Sequence, residues 1–320
     1  MALPTGIFET YDAIGNREDL SDMIWDVSPS ETPVLTAMKK KSASGTLHEW
    51  QTDALAAAGA NAQVEGDDAA PDDADPTVRL NNYCQIMAKH VVVSGTQEKV
   101  DKAGRKSEVA YQTAKRLAEI KLDIEWAMLN GGGVAGIGNA KEAGATTTAR
   151  EMGSIQTYIA DNYISAGGNG VAATGNGVDT MTAGTGTALT EAMVTSLLQA
   201  VYTVGGNPKM LVVSPTNKGV VSTFVGGGTH FVDKDNKKLV NSVDVYIGDF
   251  HTLTVTPSRQ CSPENVLAID PAHLAFSELR PVSSSNLAVT GDSIRKQIIC
   301  EGTLAVLNPN AHGIIADTLG

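Results

Sequence analysis

The chain of 320 residues is poor in cysteine, in aromatic rings, in clustered cations and in long apolar runs. Each shortage removes a class of protein. Its three cysteines, Cys84, Cys261 and Cys300, are odd in number, far apart and without C-x-x-C spacing. They exclude a disulfide framework and a thiolate zinc site, and they read as buried thiols in a reducing compartment. Aromatics make up 5% of the residues, so the core has to be assembled from small aliphatic side chains. The net charge is −12, and the longest basic run is Lys39-Lys40-Lys41. No basic stripe therefore offers the electrostatic footprint that nucleic-acid affinity requires. No stretch approaches 18 uninterrupted apolar residues, and the opening "MALPTGIFETYD" lacks a basic segment followed by an apolar one. Neither a membrane span nor a secretory leader is expected.

Glycine, by contrast, is abundant, at 32 residues. In "LNGGGVAGIGNAK", Gly131, Gly133 and Gly136 have the G-x-G-x-x-G spacing that cradles a pyrophosphate. That motif works only between a strand and a helix N-terminus. Here the glycines follow the strongest helical stretch of the chain and precede nothing helical, so the expectation is a helix stop and no cofactor. A second chemical motif is "TGDSIRK": Gly291-Asp292-Ser293-Ile294 resembles the nucleophile block of GDSL hydrolases, and "DPAH" supplies Asp270 and His273 in D-x-x-H spacing. Those enzymes place the serine block first, whereas here it comes last. The six histidines, His48, His90, His230, His251, His273 and His312, never show zinc-helix spacing, and the acidic run at 65–75 lacks a calcium-loop pattern. No metal is expected, and no P-loop or G-x-S-x-G occurs.

The apolar periodicity organises the rest. Residues 1–45 read as an arm with two short helices, in which Ser28 or Thr32 provides an N-cap before a proline and Lys39–Lys41 close the second helix favourably against its dipole. Residues 46–95 read as an extended hairpin whose acidic tip holds Glu65, Asp67, Asp68, Asp72, Asp73 and Asp75 with no intervening cation. Ser94 with Gln97 suggests a capping box ahead of a helix that is interrupted at Gly104 and runs to about Asn130. Residues 131–190 read as glycine-rich flexible surface. After them come a helix ending at Gly205, the buried strand "KMLVVSP", a short helix after Pro215, and a strand-rich C-terminal part.

Three stretches, "NREDLSDMIWDVSPSETPVLTAM", "TLHEWQTDALAAAGANAQVEGDD" and "NLAVTGDSIRKQIICEGTLAVLNPNAHGII", together resemble the major capsid proteins of tailed bacteriophages. The resemblance implies an α+β, Hong Kong 97-type fold. It makes 1–45 the N-arm, 46–95 the E-loop, 96–130 the spine helix of a peripheral domain, 131–262 an axial domain, and 263–320 the returning peripheral strands. It implies a non-enzymatic subunit, without cofactor, that assembles as hexamers and pentamers into an icosahedral virion shell and is made in the host bacterial cytoplasm. Expected partners are further copies of itself, a portal protein, a separate scaffolding protein, a decoration protein, and packaged double-stranded DNA through weak contact only. The expected assembly contacts are Trp25, Trp50, Glu65, Asp67, Asp68, Asp72, Asp73, Asp75 and Arg79. The alternatives are another phage structural component, of the tail or decoration type, and a GDSL-type esterase.

Overall fold

The computed structural model describes residues 31–66, 68, 76–130, 137–224 and 245–319. Helix α1 (Pro33–Ala37) opens at Thr32 with Pro33 in its first turn, but the Thr32 hydroxyl caps nothing. Its donors turn instead to α3 (Glu108–Leu129), where the Glu125 carboxylate accepts from the Leu35 N–H at 3.2 Å. The lysine run does not close this helix. The helix stops at Ala37, and Lys39–Ser42 form strand β1, parallel to residues 275–278. All four β1 residues are exposed and Lys40 pairs with Glu278 at 3.2 Å, so the lysines sit on a sheet edge, where charge discourages unwanted strand pairing.

Strands β2 (Leu47–Thr52) and β3 (Val78–Tyr83) form the antiparallel hairpin, followed by β4 (Gln85–Ser94). The Ser94 hydroxyl caps α2 (Gly95–Lys99) by accepting from the Gln97 N–H. Lys102 then donates to the carbonyls of Gln97, Glu98 and Val100, which ends that helix. Helix α3 starts afresh, with Ser107 accepting from the Ala110 N–H and Glu98 accepting from Glu108 and Val109. Its 22 residues extend about 33 Å at ~1.5 Å each.

Short strands β5 (Tyr163–Ser165) and β6 (Thr187–Ala188) precede α4 (Glu191–Thr203), β7 (Met210–Val213) and α5 (Pro215–Val221). The chain closes with β8 (Val245–Ile247), β9 (Thr252–Pro257), β10 (Val266–Ile269), β11 (Leu274–Asn286), β12 (Ser293–Val306), β13 (Gly313–Ala316) and β14 (Thr318–Leu319). One sheet has the order β1-β11-β12-β4, with α3 packed on it. A second has the order β5-β13-β10-β7-β9-β8 and carries α4 and α5. Two smaller ladders pair β14 with β6 and β2 with β3.

The six-stranded sheet is buried on both faces. Leu267 and Ile269 of β10 point into a core shared with α3 and the first sheet, while Val266 and Ala268 point into a second core beneath α4. The glycine-rich segment is not simply surface. Met152, Ile155, Tyr158, Ile159, Ala173 and Met181 from it lie in the first core, held by irregular backbone and one 3-10 turn at Ile155–Tyr158. Its glycines instead permit close approach to Asp317, a buried residue with φ +60, whose carboxylate accepts from Ser165 Oγ at 2.6 Å and the Gly184 N–H at 2.7 Å. A Cβ on Gly170 would stand 2.3 Å from that carboxylate.

Segment 263–320 serves both sheets. β11 and β12 join the four-stranded sheet, whereas β10 and β13, on either side of them in sequence, belong to the six-stranded one. The two links meet: the Leu307 N–H donates to the His273 carbonyl at 2.9 Å, and the Asp270 N–H donates to Nδ1 of buried His312 at 3.2 Å.

Candidate assembly surface

The hairpin is rigid at its root and bare beyond it. Asn82 is fully buried and uses its whole amide: Nδ2 donates to the Gly153 and Leu304 carbonyls (3.1 and 2.8 Å), and Oδ1 accepts from the Gly153 and Tyr83 N–H groups (2.8 and 2.9 Å). Lys141 donates to Asn81 Oδ1 at 2.5 Å and to the carbonyls of Asn81 and Asn176, and desolvation lowers its pKa. Tyr158 donates to the Asn81 carbonyl at 2.8 Å.

Trp50 lies in this root, half-buried, its ring 6.0 Å from Tyr158 and 5.9 Å from His48. Arg79 lies on the facing strand, exposed, 3.6 Å from Glu49. Residues 53–64 run without regular structure; Leu55 is 99% exposed and Val64 76%. Glu65 sits in a turn with Gly66, and Asp68 is exposed nearby. Trp25, Asp67, Asp72, Asp73 and Asp75 lie outside the described residues. Thus Trp50 and Arg79 are brought to the root, and Glu65 and Asp68 to the outer part.

The chemical motifs come apart. Asp270 and His273 do pair, Oδ2 to Nδ1 at 2.8 Å, but at the crossover between the sheets. Burial pushes the Asp270 carboxyl up, yet the Ala272 N–H and His273 outweigh it and leave its pKa lowered. Leu274 pairs with Val306, while Ser293 begins β12 thirteen residues earlier. At ~3.3 Å per residue the serine is about 40 Å away, so no triad forms. Ser293 belongs to the turn at Gly291, where its Oγ accepts from Arg295 Nε. The glycines 131–136 fall outside the described residues, but α3 does end at Leu129 and the next described regular element is a single 3-10 turn at Ile155–Tyr158. Among the described residues no cluster of His, Cys, Asp and Glu could hold a metal, and no helix is long and apolar enough to cross a membrane. All three cysteines are buried, and burial pushes their thiols up to about 11 or 12, which makes them poor nucleophiles.

Two groups escape sequence reading. Glu125, wholly buried on α3, also accepts from Ser258 Oγ at 2.8 Å. The spacing K-x-x-K-x-x-R-K places Lys99, Lys102, Arg105 and Lys106 on one corner between α2 and α3. That periodicity was the available signal for the corner; for Glu125 there was none.

An extended hairpin with apolar residues left in solvent, rooted on a two-sheet α+β body, defines a subunit built to be covered by neighbours. The chain belongs to the SU10 major capsid protein family, whose model matches residues 5–319. It is a phage capsid subunit, not an enzyme, and its place is the virion shell. It is 28% identical over 351 residues to the major capsid protein of Escherichia phage Phieco32, an alignment spanning 100% of this chain and 99% of that one. The fold is shared with the Cyanophage A-1(L) capsid asymmetric unit at 14% identity, with a TM-score of 0.64 over 97% of this chain and 98% of that one. The capsid of a native GTA particle gives the same TM-score and the same shares at 11% identity. A chain from Gordonia phage Cozz gives 0.58 at 14% identity over 99% and 97%. The Hong Kong 97-type α+β fold expected from the sequence is thus the one observed.

Proposed function

We propose that the subunit assembles as hexamers and pentamers into a closed icosahedral shell around double-stranded DNA, with the arm and the outer hairpin as its adjustable contacts. The observation that carries this is the hairpin: a root fixed by Asn82 and Lys141, and beyond it a run of exposed chain with Leu55 and Val64 uncovered. Such a segment gains its apolar burial only from another copy, so part of the folding free energy comes from assembly. On this reading residues 1–45 are the N-arm and 46–95 the E-loop, 96–130 supply the peripheral spine, 131–262 the axial domain and 263–320 the return strands, with β10 and β13 tying those strands into the axial sheet. Trp25, Trp50, Glu65, Asp67, Asp68, Asp72, Asp73, Asp75 and Arg79 are the contacts. A portal, a separate scaffolding protein and a decoration protein complete the particle, which is assembled in the host bacterial cytoplasm. The net charge of −12 favours a shell wall that the packaged genome does not adhere to.

The test is electron microscopy and light scattering of the chain expressed alone and with a scaffolding protein. Shells, or capsomers of about 200 kDa (six times 33.3 kDa), are expected. A monodisperse monomer under both conditions overturns the reading. Deleting residues 60–76 should leave the two-sheet body folded, because its root contacts lie outside the deletion, and should abolish closed shells; normal particles from the deletion would remove the hairpin from the mechanism.

A further inference from the structure

The ladder between β2 and β3 ends at one rung, Thr52 opposite Val78. On the inner side of that rung, Asn81 and Asn82 tie the hairpin to Lys141, Gly153, Tyr158 and Leu304. On the outer side, among the described residues, 53–66 bond only to each other. The Ala54 N–H donates to Asp53 Oδ1 at 2.9 Å, and Gln63 Nε2 donates to Asn61 Oδ1 at 3.2 Å. A fixed ladder followed by limbs without bonds to the body places a hinge at Thr52 and Val78.

Beneath those limbs lies a cavity of about 490 Å³. Residues 53–56 and Val78 line its hairpin side, Ala160, Asp161, Thr174 and Pro309 its body side, and Leu80 and Tyr158 its floor. The body side is held in place: Asn308 Oδ1 accepts from the Asn310 N–H at 3.1 Å, and the Asn310 carbonyl accepts from Asn162 Nδ2 at 3.0 Å. The hairpin side leaves apolar surface in water, with Val78 60% exposed and Leu55 almost wholly so. A swing about the hinge carries Leu55 toward Leu80, Tyr158 and Pro309, and apolar burial favours it. No cation lines the cavity, and Asp53 and Asp161 stand on its opposite sides, so the same swing brings two carboxylates together. These opposed effects make closure shallow enough for a neighbour to undo.

We propose that in the unassembled chain the outer hairpin closes about the Thr52–Val78 rung onto its own body, covering Leu55, and that assembly requires it to swing out. The closed strap hides side chains through which copies meet, so free chains associate only when a neighbour competes for them. This rests on the shell reading and adds to it a check on premature assembly.

The experiment locks the strap reversibly. A56C/A160C joins the outgoing limb to the body across the cavity, while Cys84, Cys261 and Cys300 are buried and stay out of the reaction. A60C/A160C is the reference, because Ala60 lies outside the cavity lining. In full-length chain kept below its assembly concentration, A56C/A160C should form its intrachain disulfide at least about tenfold faster than the reference, and about tenfold faster than in shells assembled from the reduced chain. Peptide mass spectrometry reads the bond. Oxidised chain should form no shells where reduced chain does, and reductant should restore them. A56C/T174C, aimed at the same side, repeats the measurement if the first pair misfolds. Equal oxidation in free and assembled chain, or normal shells from oxidised chain, overturns the proposal and leaves the shell reading standing. Reduced and wild-type chains that never assemble defeat the shell reading, and the comparison with A60C/A160C then still decides whether the strap closes.

Discussion

At the scale of single residues, the buried polar groups decide the most. His312 is wholly buried, and desolvation drives its pKa down to about 4. Between its ordinary value of ~6.5 and 4, the unfolded chain binds a proton that the folded one refuses. Stability contributed by the neutral ring is complete above that window and is lost as pH falls through it, by on the order of 3 kcal/mol at pH 4. Glu125 works in the other direction. Its raised pKa lets the folded chain take up a proton first, so its penalty is relieved on acidification. Urea unfolding at pH 7 and pH 4.5 should show a smaller loss for H312N than for the parent chain; equal losses would place the acid sensitivity elsewhere. Asn82 shows the limit of sequence reading at this scale. Its four hydrogen bonds reach as far as Leu304, and nothing local in "RLNNYCQ" distinguishes it from Asn81.

Elements whose causes are local were legible. Helix α4 has its Thr190 cap and buried Val194, Leu197, Leu198 and Val201 at helical spacing, and it ends before Gly205, which has φ +84. β9 alternates Leu253 and Val255 with threonines, and Ser94 and the break before α3 follow from short-range chemistry. β1 was misread because its partner Glu278 lies 238 residues away, and a lysine run has no strand signal until that partner arrives. The acidic run at 65–75 and the K-x-x-K-x-x-R-K run at 99–106 were both readable as charge patterns, but the groove beside the basic corner was not, since Arg295 and Lys296 join it from another part of the chain. Helix α1 makes the same point energetically. Only five residues long, it is held by a carboxylate from α3 where its own cap is silent. E125A should leave the Leu35 N–H and the Ser258 hydroxyl without an acceptor, at a cost of about 2–4 kcal/mol. Hydrogen exchange at the amides of residues 34–38 should quicken at least about tenfold while α4 and β7 stay protected. Unchanged exchange there would show that Val34 and Met38 anchor the arm by packing alone.

For the whole molecule the decisive fact is how the chain is shared between its two sheets. It crosses from the first to the second after α3, returns between β10 and β11, and crosses again between β12 and β13. One core, including Ile124 from α3, Phe276 from β11 and Ile314 from β13, lies against both. Calorimetry of the unassembled chain should therefore give a single transition, with van't Hoff and calorimetric enthalpies in agreement. Two resolved transitions would mean that the sheets melt as separate bodies. The same stitching has a mechanical meaning. Pressure inside a filled particle stretches its wall, and within each tile that tension runs along covalent backbone through three seams. Between tiles, on the assembly contacts proposed above, it runs through the side chains of the outer hairpin. An overfilled shell should therefore tear along its joints and shed intact tiles.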